Sequence, residues 1–270
     1  MLSTKEQMIT GTQGRLATFE AGRGRGPALL FLHADSGAAR QWRPVLERVA
    51  DERQVVAFDF RGHGSSEPAA NQDYGYAARA EDVSSVATAL GLERFFLVAH
   101  SGGAGVALEY AVAHADRVAG LLLVDPATDP RALPQAVKEG LVRDLAGPRG
   151  LEVQQAFYAS IAGENAAVRE LVLADCAAAA APARLGVARA LTEWNPEPTL
   201  KAWQGPSFIL GSAANDNGHA LYDLRRDIPH AVVPDVGHWI ALERPERVEQ
   251  AIRRFTSEVE VEAAKARTFG

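Results

Sequence analysis

Phe95-Phe96-Leu97-Val98-Ala99-His100-Ser101-Gly102-Gly103-Ala104-Gly105 carries a complete change of structure in a short span. The apolar run Phe95 to Val98 reads as a strand buried on both faces. Val106 to Ala113 reads as a helix. Between them Ser101 sits on a tight strand-to-helix turn, with Ala99 two residues before it and Gly103 two after. Large side chains at those two positions would clash in so sharp a turn. The turn lifts the serine hydroxyl above the sheet, and the helix N-terminus aims N–H groups and a partial positive charge at it. That is the presentation a serine nucleophile needs. A nucleotide loop of the G-x-G-x-x-G kind does not fit, because the glycine spacing differs and the turn follows the third parallel strand.

Outward from this turn the chain repeats the same alternation. Ala28–Leu32, Val55–Phe58, Leu121–Val124, Ser207–Leu210 and Ala231–Val233 are short, nearly continuous apolar runs. Arg15 to Glu20 reads as an antiparallel strand ahead of the parallel series. Val83, Val86, Ala87 and Leu90 share a helix face that ends at Gly91. Val248, Ala251, Ile252 and Phe255 do the same behind Pro245. Strands alternating with helices predict an α/β fold with a mostly parallel sheet flanked by helices. From about Asp129 to Trp203 the alternation stops and no strand is readable. Helical pieces at Val137–Leu145, Glu152–Ala162 and Ala166–Ala181 fill the gap, the last expected to end at Pro182. The insertion leaves the C-terminal end of one strand, where ligands bind in such sheets. It is therefore expected to be a helical cap over residues 129–202, with the core in 1–128 and 203–270.

A serine hydroxyl needs a base. Pro234-Asp235-Val236-Gly237-His238-Trp239 follows the last apolar run and precedes the last helix, so His238 is the expected base. His100 is expected to be locked in the turn with its ring directed away from Ser101. His114, His219 and His230 read as surface or loop residues. Two carboxylates compete to orient His238: Asp125, at the end of the strand beside the nucleophile strand, and Asp216, in the loop after Ser207–Leu210. Asp125 is preferred and Asp216 is the alternative acid. An oxyanion needs two N–H donors. Gly102, directly after the serine, supplies one. Asp35 or Ala34, in Leu32-His33-Ala34-Asp35-Ser36-Gly37, supplies the other. A carboxylate at Asp35 must point away from that anion, and it can at the same time cap the helix holding Trp42 and Leu46, since the backbone N–H is the donor.

Composition narrows the field. The 270 residues are 47% hydrophobic and 23% charged, which excludes a disordered chain. A net charge of −6 without a basic stripe argues against nucleic acid as a partner. The single cysteine, Cys176, forms no internal disulfide. No apolar run approaches a membrane span, and Met1–Thr10 is polar, so no membrane association and a cytoplasmic location are expected. The expected partner is a small-molecule substrate, and a homo-oligomer stays open.

With Ser101, His238 and the strand-end loops in place, the chain resembles the α/β-hydrolase fold superfamily. Phe58-Asp59-Phe60-Arg61-Gly62-His63-Gly64-Ser65-Ser66, Gly237-His238-Trp239 and Glu243-Arg244-Pro245-Glu246 match its usual pattern. The resemblance covers roughly residues 15–128 and 203–258. It departs at Ala99 and Ala34, where glycine is usual, and at Ala214, which fills the usual slot of the acid. The resemblance implies eight strands, a cap over the pocket, no cofactor and no metal. It also implies a serine hydrolase of the carboxylesterase type, working through a catalytic triad and an acyl-enzyme. Serine at 101 separates the chain from haloalkane dehalogenase and epoxide hydrolase relatives, which carry aspartate there. A lactonase, a carbon–carbon bond hydrolase, a perhydrolase and a non-catalytic ligand-binding member remain alternatives. A carbon–carbon hydrolase would need a cation for its substrate carboxylate, for which Arg40, Arg61, Arg184 and Arg189 are candidates. Trp42, Phe157, Tyr158, Trp194 and Trp239 are candidate pocket aromatics.

Overall fold

Eight strands form one sheet in the computed structural model, which describes residues 4–24 and 26–269. They are β1 (Lys5–Thr10), β2 (Arg15–Ala21), β3 (Ala28–Leu32), β4 (Val55–Phe58), β5 (Phe95–His100), β6 (Val118–Val124), β7 (Ser207–Ser212) and β8 (His230–Val233). Their order across the sheet is β1-β2-β4-β3-β5-β6-β7-β8. β2 runs antiparallel to both neighbours, and all pairs from β4 to β8 are parallel. The continuous apolar runs of the sequence are thus the strands. β1 was not foreseen, because Lys5-Glu6-Gln7-Met8-Ile9-Thr10 has too few apolar residues to stand out. It exists as an edge strand laddered to β2. Of the polar stretch Met1–Thr10, residues 1–3 lie outside the described residues, as does residue 270 of the expected core.

Alternation along each strand divides the core into two layers. Leu30, Leu32, Leu97, Ala99, Leu121 and Leu123 face one side, under α2 (Tyr76–Ala89) and α3 (Gly103–Ala113). Leu29, Phe31, Phe96, Val98, Leu122 and Val124 face the other, under α1 (Arg43–Val49) and the long C-terminal helix Pro245–Phe269. Strands β3, β5 and β6 are buried on both faces along their whole length. Burying each such Leu or Phe contributes about 1.5–3 kcal/mol, so these central strands are the stiff platform whose ends can hold a site.

Five helices lie between β6 and β7: α4 (Gln135–Ala146), α5 (Gly150–Ile161), α6 (Ala166–Ala178), α7 (Ala181–Glu193) and α8 (Pro196–Ala202). The alanine run does not continue one helix to Pro182. α6 stops at Ala178, Ala179 and Ala180 turn extended, and Pro182 opens α7 within its first turn. Two causes act together: proline is favoured in the first turn of a helix, and inside a continued helix its ring would clash with the Ala178 carbonyl. The Ala180 N–H also finds the Gly62 carbonyl of the core at 2.8 Å instead of a helical partner. Leucine-bearing α4 has no buried residue, although Leu141 and Leu145 border a cavity. The remaining helices, α9 (Leu221–Leu224), α10 (Ile240–Glu243) and α11 (Pro245–Phe269), complete the core. Among the described residues no single helix is long and apolar enough to cross a membrane.

Candidate active site

Ser101 stands between β5 and α3 with φ at +53°, in the left-handed region. Such a backbone costs of order 1–3 kcal/mol for a residue other than glycine. Packing on both sides holds it there. Ala99 is fully buried, and a side chain at Gly103 would start 2.6 Å from the His33 carbonyl oxygen. The small residues on either side of the serine are therefore a steric requirement of this turn.

His238 comes from the loop between β8 and α10. Its Nδ1 lies 2.6 Å from Asp125 Oδ2. An ionised carboxylate only accepts, so Nδ1 carries the proton, and Nε2 has no hydrogen-bond partner among the described residues; His238 borders the same cavity as Ser101. Asp125, directly after β6, has no solvent exposure and accepts two further bonds, from the Ser212 N–H at 2.6 Å and the Ser212 hydroxyl at 3.0 Å. Burial alone would raise its carboxyl, but the hydrogen bond and charge of His238 and the Ser212 N–H outweigh that and hold it below the usual carboxylate range. Asp216 does not reach His238; its Oδ1 accepts from the Tyr222 hydroxyl at 3.0 Å. Of the two sequence candidates, the structure brings Asp125 to the histidine and leaves Asp216 on its own loop.

His100 turns away from Ser101, and its Nε2 donates to the His238 carbonyl at 2.9 Å. Its ring lies 4.7 Å from that of His238. Burial, reinforced by His238, lowers it to about 3, so it stays neutral.

The loop after β3 closes the other side of Ser101. Asp35, rather than Ala34, borders the same cavity as Ser101 and His238. Neither the Asp35 N–H nor the Gly102 N–H donates to an acceptor among the described residues. The Asp35 carboxylate does not cap the following helix. Asp59 fills that place, accepting the Ala39 N–H at 2.7 Å. Asp35 instead accepts from Arg79 Nη1 at 2.7 Å. Two neutral histidines brace the loop. His63 Nδ1 donates to the Arg61 carbonyl while its Nε2 accepts the Ser36 N–H. His33 likewise donates to the Ala34 carbonyl and accepts the Phe60 N–H. Burial, then like charge nearby, lowers both; His63 falls to about 4. From above, the Tyr158 hydroxyl of α5 donates to the Asp35 carbonyl at 2.7 Å, and Gln154 donates to Ser36 Oγ at 2.9 Å.

Asp59, His63, Arg79 and Ser212 were not picked out by sequence reasoning as parts of the site, and Tyr158 was picked out only as a candidate pocket aromatic. The stretch Phe58–Ser66 was visible as a pattern, and its work here is to hold the loop after β3. Ser212, Arg79 and Tyr158 carry no local signal, since their roles depend on which loop they meet.

The cavity has a volume of about 560 Å³, within the range of small-molecule sites. Ser101, His238 and Asp125 lie at its floor; Leu141, Leu145 and Phe157 stand in its helical wall. Phe157 and Tyr158 border it, whereas Trp42, Trp194 and Trp239 are buried in the packing around it. None of the arginines expected as candidates reaches it. Arg40 pairs with Asp175, Arg61 with Asp82, and Arg184 donates to the Ala179 carbonyl, while Arg189 is also absent from the wall. No arginine or lysine borders the cavity among the described residues. No cluster of metal-ligating side chains is present among them either.

Residues 27–245 match the model of the family described as the alpha/beta hydrolase fold. N-formylmaleamate deformylase of Pseudomonas putida is 29% identical over 232 residues, covering 80% of this chain and 84% of that enzyme. The 2-(acetamidomethylene)succinate hydrolase of Mesorhizobium japonicum is 29% identical over 267 residues, covering 90% of this chain and 92% of that enzyme. Among solved structures, a thermophilic esterase from Thermogutta terrifontis, with malate bound, superposes with a TM-score of 0.81 at 26% identity, covering 94% of this chain and 99% of that one.

Proposed function

The chain belongs to the α/β-hydrolase fold family, and from that premise we propose that it is a serine hydrolase of small, uncharged carboxylic esters, acting through Ser101, His238 and Asp125. The observation that carries this reading is the buried Asp125 carboxylate on His238 Nδ1, with Nε2 and the Ser101 hydroxyl left on one cavity. A fold retained only for binding has no need of so closely held an acid.

The chemistry follows from the geometry. Ser101 Oγ adds to the ester carbonyl carbon, and its proton passes to His238 Nε2. Asp125 keeps the ring in the required tautomer and stabilises the imidazolium. The carbonyl electron pair moves onto oxygen, which meets the Asp35 and Gly102 N–H groups. The pair returns, the bond to the alcohol oxygen breaks, and Nε2–H protonates that oxygen. Water then attacks the acyl-enzyme by the same steps, with His238 as base, and releases the acid and Ser101. The helices over residues 129–202 act as a cap that walls the acyl group from water.

The absence of arginine and lysine from the wall favours a neutral substrate over the acids named for the relatives, a maleamate and a succinate. It also speaks against a carbon–carbon hydrolase that must hold a carboxylate. A neutral lactone would suit the same machinery. The test is turnover of a p-nitrophenyl ester panel by the parent protein and Ser101→Ala. Turnover lost in the variant is the expected result. Turnover retained in it would remove Ser101 from the mechanism.

A further inference from the structure

Asp35 brings a negative charge into the place where a second one must form. Its N–H is one proposed donor to the oxyanion. Its carboxylate lies against Gly102, the other donor residue, so closely that any side chain at position 102 would overlap the carboxylate oxygens. An unbalanced carboxylate there opposes the charge that the two N–H groups are placed to stabilise.

One cation balances it. Arg79, on the first turn of α2, has no solvent exposure, and its Nη1 donates to Asp35 Oδ1 at 2.7 Å. The guanidinium is held between the rings of Phe60 and Tyr76, at 5.2 and 5.1 Å from their centroids. Its Nε and Nη2 have no hydrogen-bond partner among the described residues. Asp82 on the same helix is already taken by Arg61. His33 and His63 nearby are held neutral. Among the described residues Arg79 thus has one carboxylate partner, and Asp35 has one cation. We infer that Arg79 is a positioning residue of the oxyanion hole, one that neutralises and ties back the Asp35 carboxylate so that the Asp35 and Gly102 N–H groups face the developing anion. It touches neither substrate nor reacting atoms, and the inference rests on the Ser101 reading above. A purely architectural role, pinning α2 to the loop through the same ion pair, predicts a lower melting temperature without a selective loss of kcat.

A double-mutant cycle separates the two, with kcat and KM for p-nitrophenyl butyrate measured on the parent, Arg79→Gln, Asp35→Asn and the double variant, each checked by thermal melting. Arg79→Gln is expected to lower kcat at least about tenfold with KM within about twofold. In the Asp35→Asn background the same change is expected to alter kcat by less than about threefold. Equal losses in both backgrounds, or no loss in the first, overturn the inference. If Arg79→Gln does not fold, Arg79→Lys carries the test. Lysine keeps the charge, so a folded variant within about fivefold of the parent kcat supports the inference, and a loss beyond about tenfold overturns it. Labelling of the parent by a fluorophosphonate probe, with Ser101→Ala as the control, keeps the two readings apart. A parent unlabelled at Ser101 overturns both. A labelled parent with a background-independent Arg79→Gln loss overturns this inference alone.

Discussion

His238 Nδ1 and Asp125 Oδ2 meet at 2.6 Å although 113 residues of chain separate them. The contact leaves only one tautomer with Nε2 free to take a proton from Ser101. An asparagine at 125 would offer its NH₂ or its carbonyl to Nδ1 and lose that selection. Asp125→Asn is therefore expected to reduce kcat on a p-nitrophenyl ester by about 10⁴, the size of the corresponding loss in the Ser-His-Asp proteases. Asp216→Asn is expected to stay within roughly twofold, because its partner is Tyr222. Comparable losses in both variants would mean the acid is shared or misassigned.

Tyr158 ties α5 to the backbone that presents the Asp35 N–H. Tyr158→Phe leaves the ring packed and deletes only the hydroxyl. The expected outcome is a kcat about tenfold lower with KM little changed, and a stability loss of about 1 kcal/mol for one neutral hydrogen bond. Steady-state kinetics with urea unfolding reads both. A rise in KM at constant kcat would show that Tyr158 contacts substrate instead of steadying the loop.

The sequence was most legible where one residue's neighbours along the chain decide its structure. Ala99, Ser101 and Gly103 announce the turn because its sterics are local, and the runs at Ala28–Leu32 and Phe95–Val98 announce buried strands because both faces are apolar. The acid was harder. Asp125 and Asp216 each end or follow a strand, and only the β6–β7 pairing, with Ser212 beside Asp125, distinguishes them. The Arg79–Asp35 pair was not readable at all, since it joins a helix to a loop 44 residues away. The break at Ala179–Ala180 was misread because alanine favours helix locally, while a tertiary hydrogen bond to Gly62 and the demands of Pro182 favour an extended pair.

The cavity wall should discriminate by charge. Among the described residues Asp35 and Asp125 are the only carboxylates bordering it, and no arginine or lysine does so. A substrate carboxylate would lose hydration there with no cation to replace it, at several kcal/mol. Ethyl butyrate is therefore expected to exceed the monoethyl succinate anion in kcat/KM by at least about 100-fold at neutral pH. Competition assays with the two esters would show this directly. Equal specificity constants would mean that a cation reaches the substrate when it binds.

Three buried histidines should make the fold acid-sensitive. His33 is held well below its ordinary value, His63 at about 4 and His100 at about 3, each chiefly by burial. The unfolded chain takes up protons at these residues below about pH 6.5, while the folded chain does not. The unfolded state then binds more protons, so stability falls as pH drops from about 6.5 toward 4. His63 and His100 each contribute a slope on the order of 1 kcal/mol per pH unit near pH 5. Asp59 and Asp82 act in the opposite sense, because burial raises both carboxyls and lets the folded state gain protons first. Their offset makes the difference between variants the sharper reading. His63→Gln keeps a side-chain acceptor for the Ser36 N–H and removes one titrating group. Urea midpoints at pH 7, 6 and 5 should show its slope reduced by an amount on the order of 1 kcal/mol per pH unit relative to the parent. Parallel pH profiles for the two proteins would mean that His63 is protonated in the folded state, and that Ser36 is held by some other contact.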